Sequence, residues 1–285
     1  MPCASIMAES AATVPQPERA GLLTRLAAAA VLAPVTIAVA WIGGTVWIVS
    51  VTIVAAIALW EWSRMVDGGP LSSAGGAVIV TSLAVPIGFF GDVRVAGAVI
   101  AICGGAALVV GNATRNPVHG MWMAVGAVYI GSAALTLSWL RTGATSGLGA
   151  VLWLLLSVWA SDALAYAAGR LIGGPRLAAR ISPNKTWAGL GGAMLGAAVV
   201  SGLFGFFWTD GPGPVLLAAA GLVVGLVGQG GDLLESFAKR RFGTKDSSTL
   251  IPGHGGVLDR IDALMAVTLI ATFVYLVNGQ EWSWS

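Results

Sequence analysis

Of the 285 residues, 56% are hydrophobic and only 10% are charged, with a mean hydropathy of +0.84 and a formal net charge of +2. So apolar a chain excludes an ordinary water-soluble domain, and so small a net charge leaves no electrostatic footprint for nucleic acid. Cys3 and Cys103 are too few and too far apart for a disulfide framework or a metal knuckle.

Residues 1–21 are polar and proline-containing, which predicts an unstructured tail. Nine apolar stretches follow, at about 22–41, 45–62, 75–91, 94–111, 121–140, 148–169, 188–208, 214–235 and 261–278. Each approaches the ~20 residues that a helix needs to cross the hydrocarbon core, and the alternating pattern of barrel strands is missing. Pro34 predicts a kink in the first stretch; alternatively, Ala38-Val39-Ala40 resembles a signal-peptidase site. Glu61, between Trp60 and Trp62 at a helix end, reads as an interfacial residue in an aromatic belt.

The expected fold class is an all-α polytopic integral membrane protein with about nine transmembrane helices. We expect one membrane domain: the tail over 1–21, N-terminal helices over 22–147 and a catalytic region over 148–285. Nine spans put the N-terminus and the connections near 64–74, 112–120, 170–187 and 236–260 on one side. Of the 15 Lys and Arg residues, all but Arg94 and Arg141 fall on that side. The positive-inside rule therefore makes it cytoplasmic, with the C-terminus external.

Residues 236–262 carry five of the 15 Lys/Arg and three of the 13 Asp/Glu, beside apolar spans on both flanks. Such a concentration of both signs next to a bilayer is costly and marks the place to look for chemistry. Upstream, Gly221, Gly225, Gly228 and Asp232 share one helix face, which Glu235, Ser236 and Lys239 continue. A glycine face admits another helix closely, or borders a groove for acyl chains. An acid at the end of a span, such as Asp232, is a functional candidate. Glu235 lies four residues before Lys239 and reads as its ion-pair partner, so it is left out of the metal set.

Asp259 and Asp262 are three residues apart at a helix start, so both carboxylates share a face and could hold a hard cation such as Mg²⁺. The alternative is that they complement the positive helix N-terminus. Between them and the eighth span lies Pro252-Gly253-His254-Gly255-Gly256, whose turns could form an anion-binding nest beside Lys239, Arg240 and Lys245. His254 could equally structure the loop. Ser182-Pro183-Asn184-Lys185-Thr186-Trp187 precedes another span and reads either as a phosphate-binding helix start or as a simple cap with an interfacial Trp. Asp162 is a further intramembrane acid on the same side.

These residues resemble the signature of the phosphatidate cytidylyltransferase (CDP-diacylglycerol synthase) family. The pattern Ser-x-x-Lys-Arg, four residues, Lys-Asp, then Pro-Gly-His-Gly-Gly, two residues and Asp-Arg-x-Asp is met in register by Ser236, Lys239, Arg240, Lys245, Asp246, Pro252 to Gly256, Asp259, Arg260 and Asp262. Asp162 and the 182–186 segment look like the family's other blocks. Ala238 stands where a larger apolar residue is common.

The resemblance implies CTP and phosphatidic acid as substrates, CDP-diacylglycerol and pyrophosphate as products, and a cytoplasm-facing intramembrane site. It also implies Mg²⁺ or another divalent cation, with a monovalent cation as a further candidate, contact with membrane lipids, a homodimer, and residence in a bacterial inner membrane. On this basis Asp232, Asp259, Asp262 and Asp162 are expected to hold metal. Lys239, Arg240, Lys245 and Asp246 are expected to be catalytic, although Asp246 could either join the metal shell or orient Lys245. Ser182, Asn184, Lys185, Thr186, Ser236, His254, Gly255 and Arg260 are expected to bind substrate. Two rivals are another CTP-using membrane enzyme, such as a polyprenol kinase, and an ion-coupled transporter, which would spread its acids through the spans.

Overall fold

In a computed structural model, which describes residues 22–143, 146–208, 213–251 and 255–277, the apolar stretches become helices broken where glycine or proline interrupts them. Helix α1 (Leu22–Ile42) runs on through Pro34. Gly43, with φ of 67°, then turns the chain into α2 (Gly44–Asp67), which ends at the left-handed Gly68. The third stretch is broken into α3 (Ser73–Val80), a 3₁₀ turn at Thr81–Leu83 and α4 (Ala84–Phe90). Pro86, with no N–H to give, lies just beyond the break.

Asp92 caps α5 (Val93–Thr114) and Asn116 caps α6 (Pro117–Thr142), each accepting a backbone N–H. Helix α7 (Gly147–Leu171) leads into a two-stranded antiparallel hairpin, β1 (Arg176–Ala178) and β2 (Ser182–Thr186). Helices α8 (Trp187–Phe207), α9 (Pro214–Arg241) and α10 (Leu258–Val277) complete the chain.

Seven helical segments are long and apolar enough to cross a membrane among the described residues, counting Ser73–Phe90 as one. Helices α1 and α10, of 21 and 20 residues, occupy the first and last of the nine expected stretches. The hairpin is an addition to the all-α expectation. Its strands are too short for a period-two pattern to register in sequence, and it is closed by backbone bonding, with Trp187 N–H donating to Pro175 O at 3.1 Å. Large apolar side chains such as Ile102, Leu195, Phe206 and Leu216 are exposed, as lipid-facing positions require.

The glycine face of α9 is closed by its neighbours. A Cβ on Gly221 would lie 2.6 Å from Ala197 O, and one on Gly225 would lie 2.6 Å from Met194 Cα, both on α8. Gly228 and Gly231 instead face α10 at Ala263 and Ala266. The stripe is therefore a packing seam, filled at these glycines by α8 and α10. This seam brings the end of α9 against α10, which also packs on α6, α7 and α2. Gly225→Leu should destabilise the fold by roughly 1–3 kcal/mol or more through overpacking. The check is thermal unfolding in detergent, where an unchanged melting temperature would contradict the seam.

Candidate active site

The ends of α7, α9 and α10, with β2 and the start of α8, enclose a cavity of about 400 Å³. Its wall includes Asp162, Asn184, Lys185, Thr186, Asp232, Lys239, Asp246, Asp259, Arg260 and Asp262. Residues separated by up to a hundred positions thus converge at one end of the helix bundle. Each arrives for a local reason. Thr186 caps α8, accepting Gly189 N–H at 3.0 Å, and this fixes Lys185 and Asn184 at the cavity rim. The simple-cap reading of this segment therefore holds for Thr186, and Trp187 is exposed beside it.

Lys185 Nζ reaches Asp232 Oδ2 at 2.7 Å and Gln229 Oε1 at 2.9 Å, tying the hairpin to α9. Ser236, one turn after Asp232, donates its hydroxyl to Asp232 Oδ1 at 3.2 Å. Asp162 stands accessible at the wall, with Asp232, Lys185 and Arg260 as its charged neighbours. Asp262 accepts the N–H of Ala263 at 2.8 Å.

Lys239 is buried and bridges two acids, Glu235 Oε2 at 3.0 Å and Asp259 Oδ1 at 2.6 Å. The Glu235 pairing is the one expected from spacing. Asp259, expected to hold metal, lines the cavity and is also engaged by protein donors. Besides Lys239, it accepts Ser247 N–H at 3.0 Å and Gly256 N–H at 2.8 Å, and Ser247 Oγ lies 3.0 Å away. These donors make it an organiser of the loop as well as a member of the cavity wall.

The other cationic candidates separate. Arg240 braces the hairpin and its own loop, donating to Ile181 O at 3.3 Å and Thr244 O at 3.1 Å. Lys245 is exposed and lies outside the cavity lining. Ser182 sits in β2 without lining the cavity. Gly255, with φ of 86°, closes a turn in which Ile251 N–H donates to Gly255 O at 2.9 Å. His254 lies outside the described residues.

Among the described residues no three acidic, histidine or cysteine groups form a ready-made metal cage. The donor set nevertheless fits a hard cation delivered with phosphates, because Mg²⁺ uses one or two protein carboxylates and keeps waters or phosphate oxygens. Asp162, Asp232 and Asp262 supply carboxylates from three helices. Glu235 Oε1 is buried without a donor, and Asp262 is its neighbour, an acceptor pairing that either a shared proton or a cation would satisfy. Five carboxylates in the wall face only Lys185, Lys239 and Arg260. Such a wall would favour a polyphosphate accompanied by a cation.

The chain's matches to known proteins agree with this geometry. Residues 23–278 match the model of the Cytidylyltransferase family. The phosphatidate cytidylyltransferase of Brucella abortus biovar 1 (strain 9-941) is 36% identical over 262 residues, covering 90% of this chain and 93% of the relative. The chain belongs to the cytidylyltransferase family.

Shorter matches join this cytidylyltransferase to the phosphatidate cytidylyltransferases of Haemophilus influenzae and Staphylococcus haemolyticus. The first is 40% identical over 45% of this chain and 46% of the relative, the second 42% over 43% and 47%. It is thus a nucleotidyltransferase with many membrane-length helices.

Sequence reasoning passed over several residues around this cytidylyltransferase cavity. Gln229 lies in the apolar part of α9 and carried no charge to draw attention, yet it holds Lys185. Ser247 and Ser248 lie between the spaced signature residues and belong to no motif read in the sequence. Glu61, expected at the membrane interface, is instead completely buried. Its carboxylate accepts Val257 N–H at 3.0 Å, Leu258 N–H at 2.7 Å and the Ser248 hydroxyl, and it lies 3.1 Å from Ser247 Oγ. The usable signal was the acid itself, because a carboxylate in an apolar span needs partners.

Proposed function

We infer that this cytidylyltransferase acts on phosphatidic acid, joining it to CTP to give CDP-diacylglycerol and pyrophosphate. The observation that carries the reading is the convergence of Asp162, Lys185, Asp232, Arg260 and Asp262 on one cavity at the end of the bundle. The expected cytoplasmic orientation puts that cavity at the membrane face where a water-soluble nucleotide and a lipid phosphate can meet. Acids gathered at one end, rather than distributed along the spans, disfavour an ion path.

An oxygen of the lipid phosphate attacks the α-phosphorus of CTP in line. A new P–O bond forms, the α–β bridging P–O bond breaks, and pyrophosphate leaves with the electron pair. A phosphate monoester has a second pKa near ~6, so the nucleophile needs no general base. Catalysis then rests on positioning and charge stabilisation. Lys185, held rigid by Asp232 and Gln229, and Arg260 present positive charge to the phosphates. Lys239 keeps its charge in the wall between Glu235 and Asp259. Arg240 stabilises the hairpin that carries Lys185, and Lys245 draws the anionic nucleotide toward the mouth. Asp246 lines the entrance on the loop side.

Asp162, Asp232 and Asp262 are the residues that would hold Mg²⁺. When bound, the ion supplies charge neutralisation for the phosphate oxygens. The cytoplasmic N-terminus and external C-terminus rest on the distribution of Lys and Arg. The homodimer, the bacterial inner membrane and a second, monovalent cation rest on family resemblance alone.

The test is product analysis with purified protein, CTP and phosphatidic acid. Equal amounts of CDP-diacylglycerol and pyrophosphate are expected, with activity lost in EDTA and restored by Mg²⁺. Consumption of CTP with phosphorylation of a polyprenol, or no turnover with phosphatidic acid, would overturn the reading.

A further inference from the structure

We infer that Glu61, contributed by α2 from the N-terminal half, is a positioning residue for the catalytic loop and the start of α10. The inference deepens the reading above, because the loop it holds borders the proposed nucleotide site. Glu61 is 0% exposed and sits 186 to 197 residues before its partners in sequence. Its Oε1 accepts Ser248 Oγ–H at 2.5 Å and Val257 N–H at 3.0 Å. Its Oε2 accepts Leu258 N–H at 2.7 Å and lies 3.1 Å from Ser247 Oγ.

Both ends of the 247–258 loop are therefore fastened to one carboxylate. Helix N-termini leave their first N–H groups without partners in the helix, and a nearby side chain usually caps them. In α10 the cap comes from another helix. The direction in which α10 leaves the loop, and with it the placement of Arg260 and Asp262, depends on α2.

The connection reaches the cavity. Ser247 Oγ lies 3.0 Å from Asp259 Oδ2 as well as 3.1 Å from Glu61, while its N–H donates to Asp259 at 3.0 Å. One hydroxyl proton serves one acceptor at a time. The backbone N–H can hold Asp259 while the hydroxyl holds Glu61. Asp259 in turn binds Lys239 at 2.6 Å. The path Glu61–Ser247–Asp259–Lys239 runs from the N-terminal half to the cavity wall.

The sequence of the loop fits this constraint. A Cβ on Gly256 would collide with Ser247 Oγ and lie 2.6 and 2.7 Å from the two Glu61 oxygens. Gly255 supplies the positive φ of the turn, and Gly256 supplies clearance for Glu61. Two adjacent glycines thus have two different physical reasons.

Glu61→Gln tests the inference. The amide keeps size and shape, but one oxygen becomes a donor facing N–H groups of Val257 or Leu258, which cannot reverse as the serine hydroxyls can. Hydrogen–deuterium exchange should rise in residues 246–260 and stay unchanged elsewhere. In the same protein, kcat should fall by about tenfold or more, the scale of one lost hydrogen bond to a charged group, while KM for phosphatidic acid stays constant. Ser247→Ala should produce a related loss, and the double variant should be no slower than the worse single variant, because both cut one path.

Unchanged loop exchange in folded Glu61→Gln, or multiplying losses in the double variant, would overturn the inference. If Glu61→Gln does not accumulate, Ser248→Ala removes one donor to Glu61 without touching Asp259. It should still loosen the loop and lower kcat, and no change in either would count equally against the inference. A wild-type protein inactive with CTP and phosphatidic acid would sink the functional reading alone, since the exchange result does not depend on turnover.

Discussion

Asp262→Asn should lower CDP-diacylglycerol formation by about 10²–10³-fold, the usual scale for removing one preorganised electrostatic group from a phosphate-handling or oxyanion site. Three observations set this expectation. Asp262 lines the cavity, it lies on α10, which packs against α9, α6, α7 and α2, and it is one of three carboxylates contributed by different helices. Asn is isosteric, and its side-chain oxygen can still accept the Ala263 N–H that Asp262 accepts at 2.8 Å. The change therefore removes charge with little change of shape. Initial rates across a Mg²⁺ titration provide the measurement. The variant should need more Mg²⁺ and remain slow at saturation, whereas Asp92→Asn, at the far end of the bundle on the α5 cap, should behave as wild type. Full activity in folded Asp262→Asn would remove the residue from the site.

Lys239→Met should act on stability as strongly as on turnover. Lys239 is 9% exposed and holds Glu235 and Asp259 apart at 3.0 and 2.6 Å. Met preserves much of the apolar stem but leaves two buried acids without their cation. Breaking a buried pair by removing one partner costs about 3–5 kcal/mol, mainly because the remaining charge stays uncompensated. A large drop in melting temperature is expected in detergent or nanodiscs. Adding Glu235→Gln should recover part of the loss by removing one orphaned acid, and the Ser236–Asp232 contact gives no such rescue. A Lys239→Met protein as stable as wild type would show that the bridge contributes little. Its position suggests that this lysine serves first to hold α9 to α10 and only through that to shape the cavity.

The two substitutions differ in what reading the chain alone can foresee. Asp262 was readable as a functional acid from its spacing to Asp259 and its place at the edge of a span. The paired role of the two acids was not readable, because spacing on a helix fixes which face a carboxylate shares and says nothing of the donors that meet it. In the fold, both acids line the cavity, and Asp259 also meets Ser247, Gly256 and Lys239 and so organises the loop. Lys239 likewise looked like a phosphate ligand beside Arg240 and Lys245. One turn of helix and a loop direct the three side chains to different tasks.

The apolar periods, the proline and glycine breaks, the cytoplasmic excess of Lys and Arg and the spaced signature at 236–262 are local properties of the chain. They determined the membrane class, the nine stretches, the expected orientation and the end of the molecule where the chemistry lies. Hydrophobic transfer and helix periodicity act over one span at a time, which is why sequence alone carries them. Contacts over long separations needed the tertiary structure. Only it closed the glycine face into a seam, paired Lys185 with Asp232 and buried Glu61 beneath the catalytic loop. A buried carboxylate must find donors, but which donors depends on how segments 186 or more residues apart come to lie against each other.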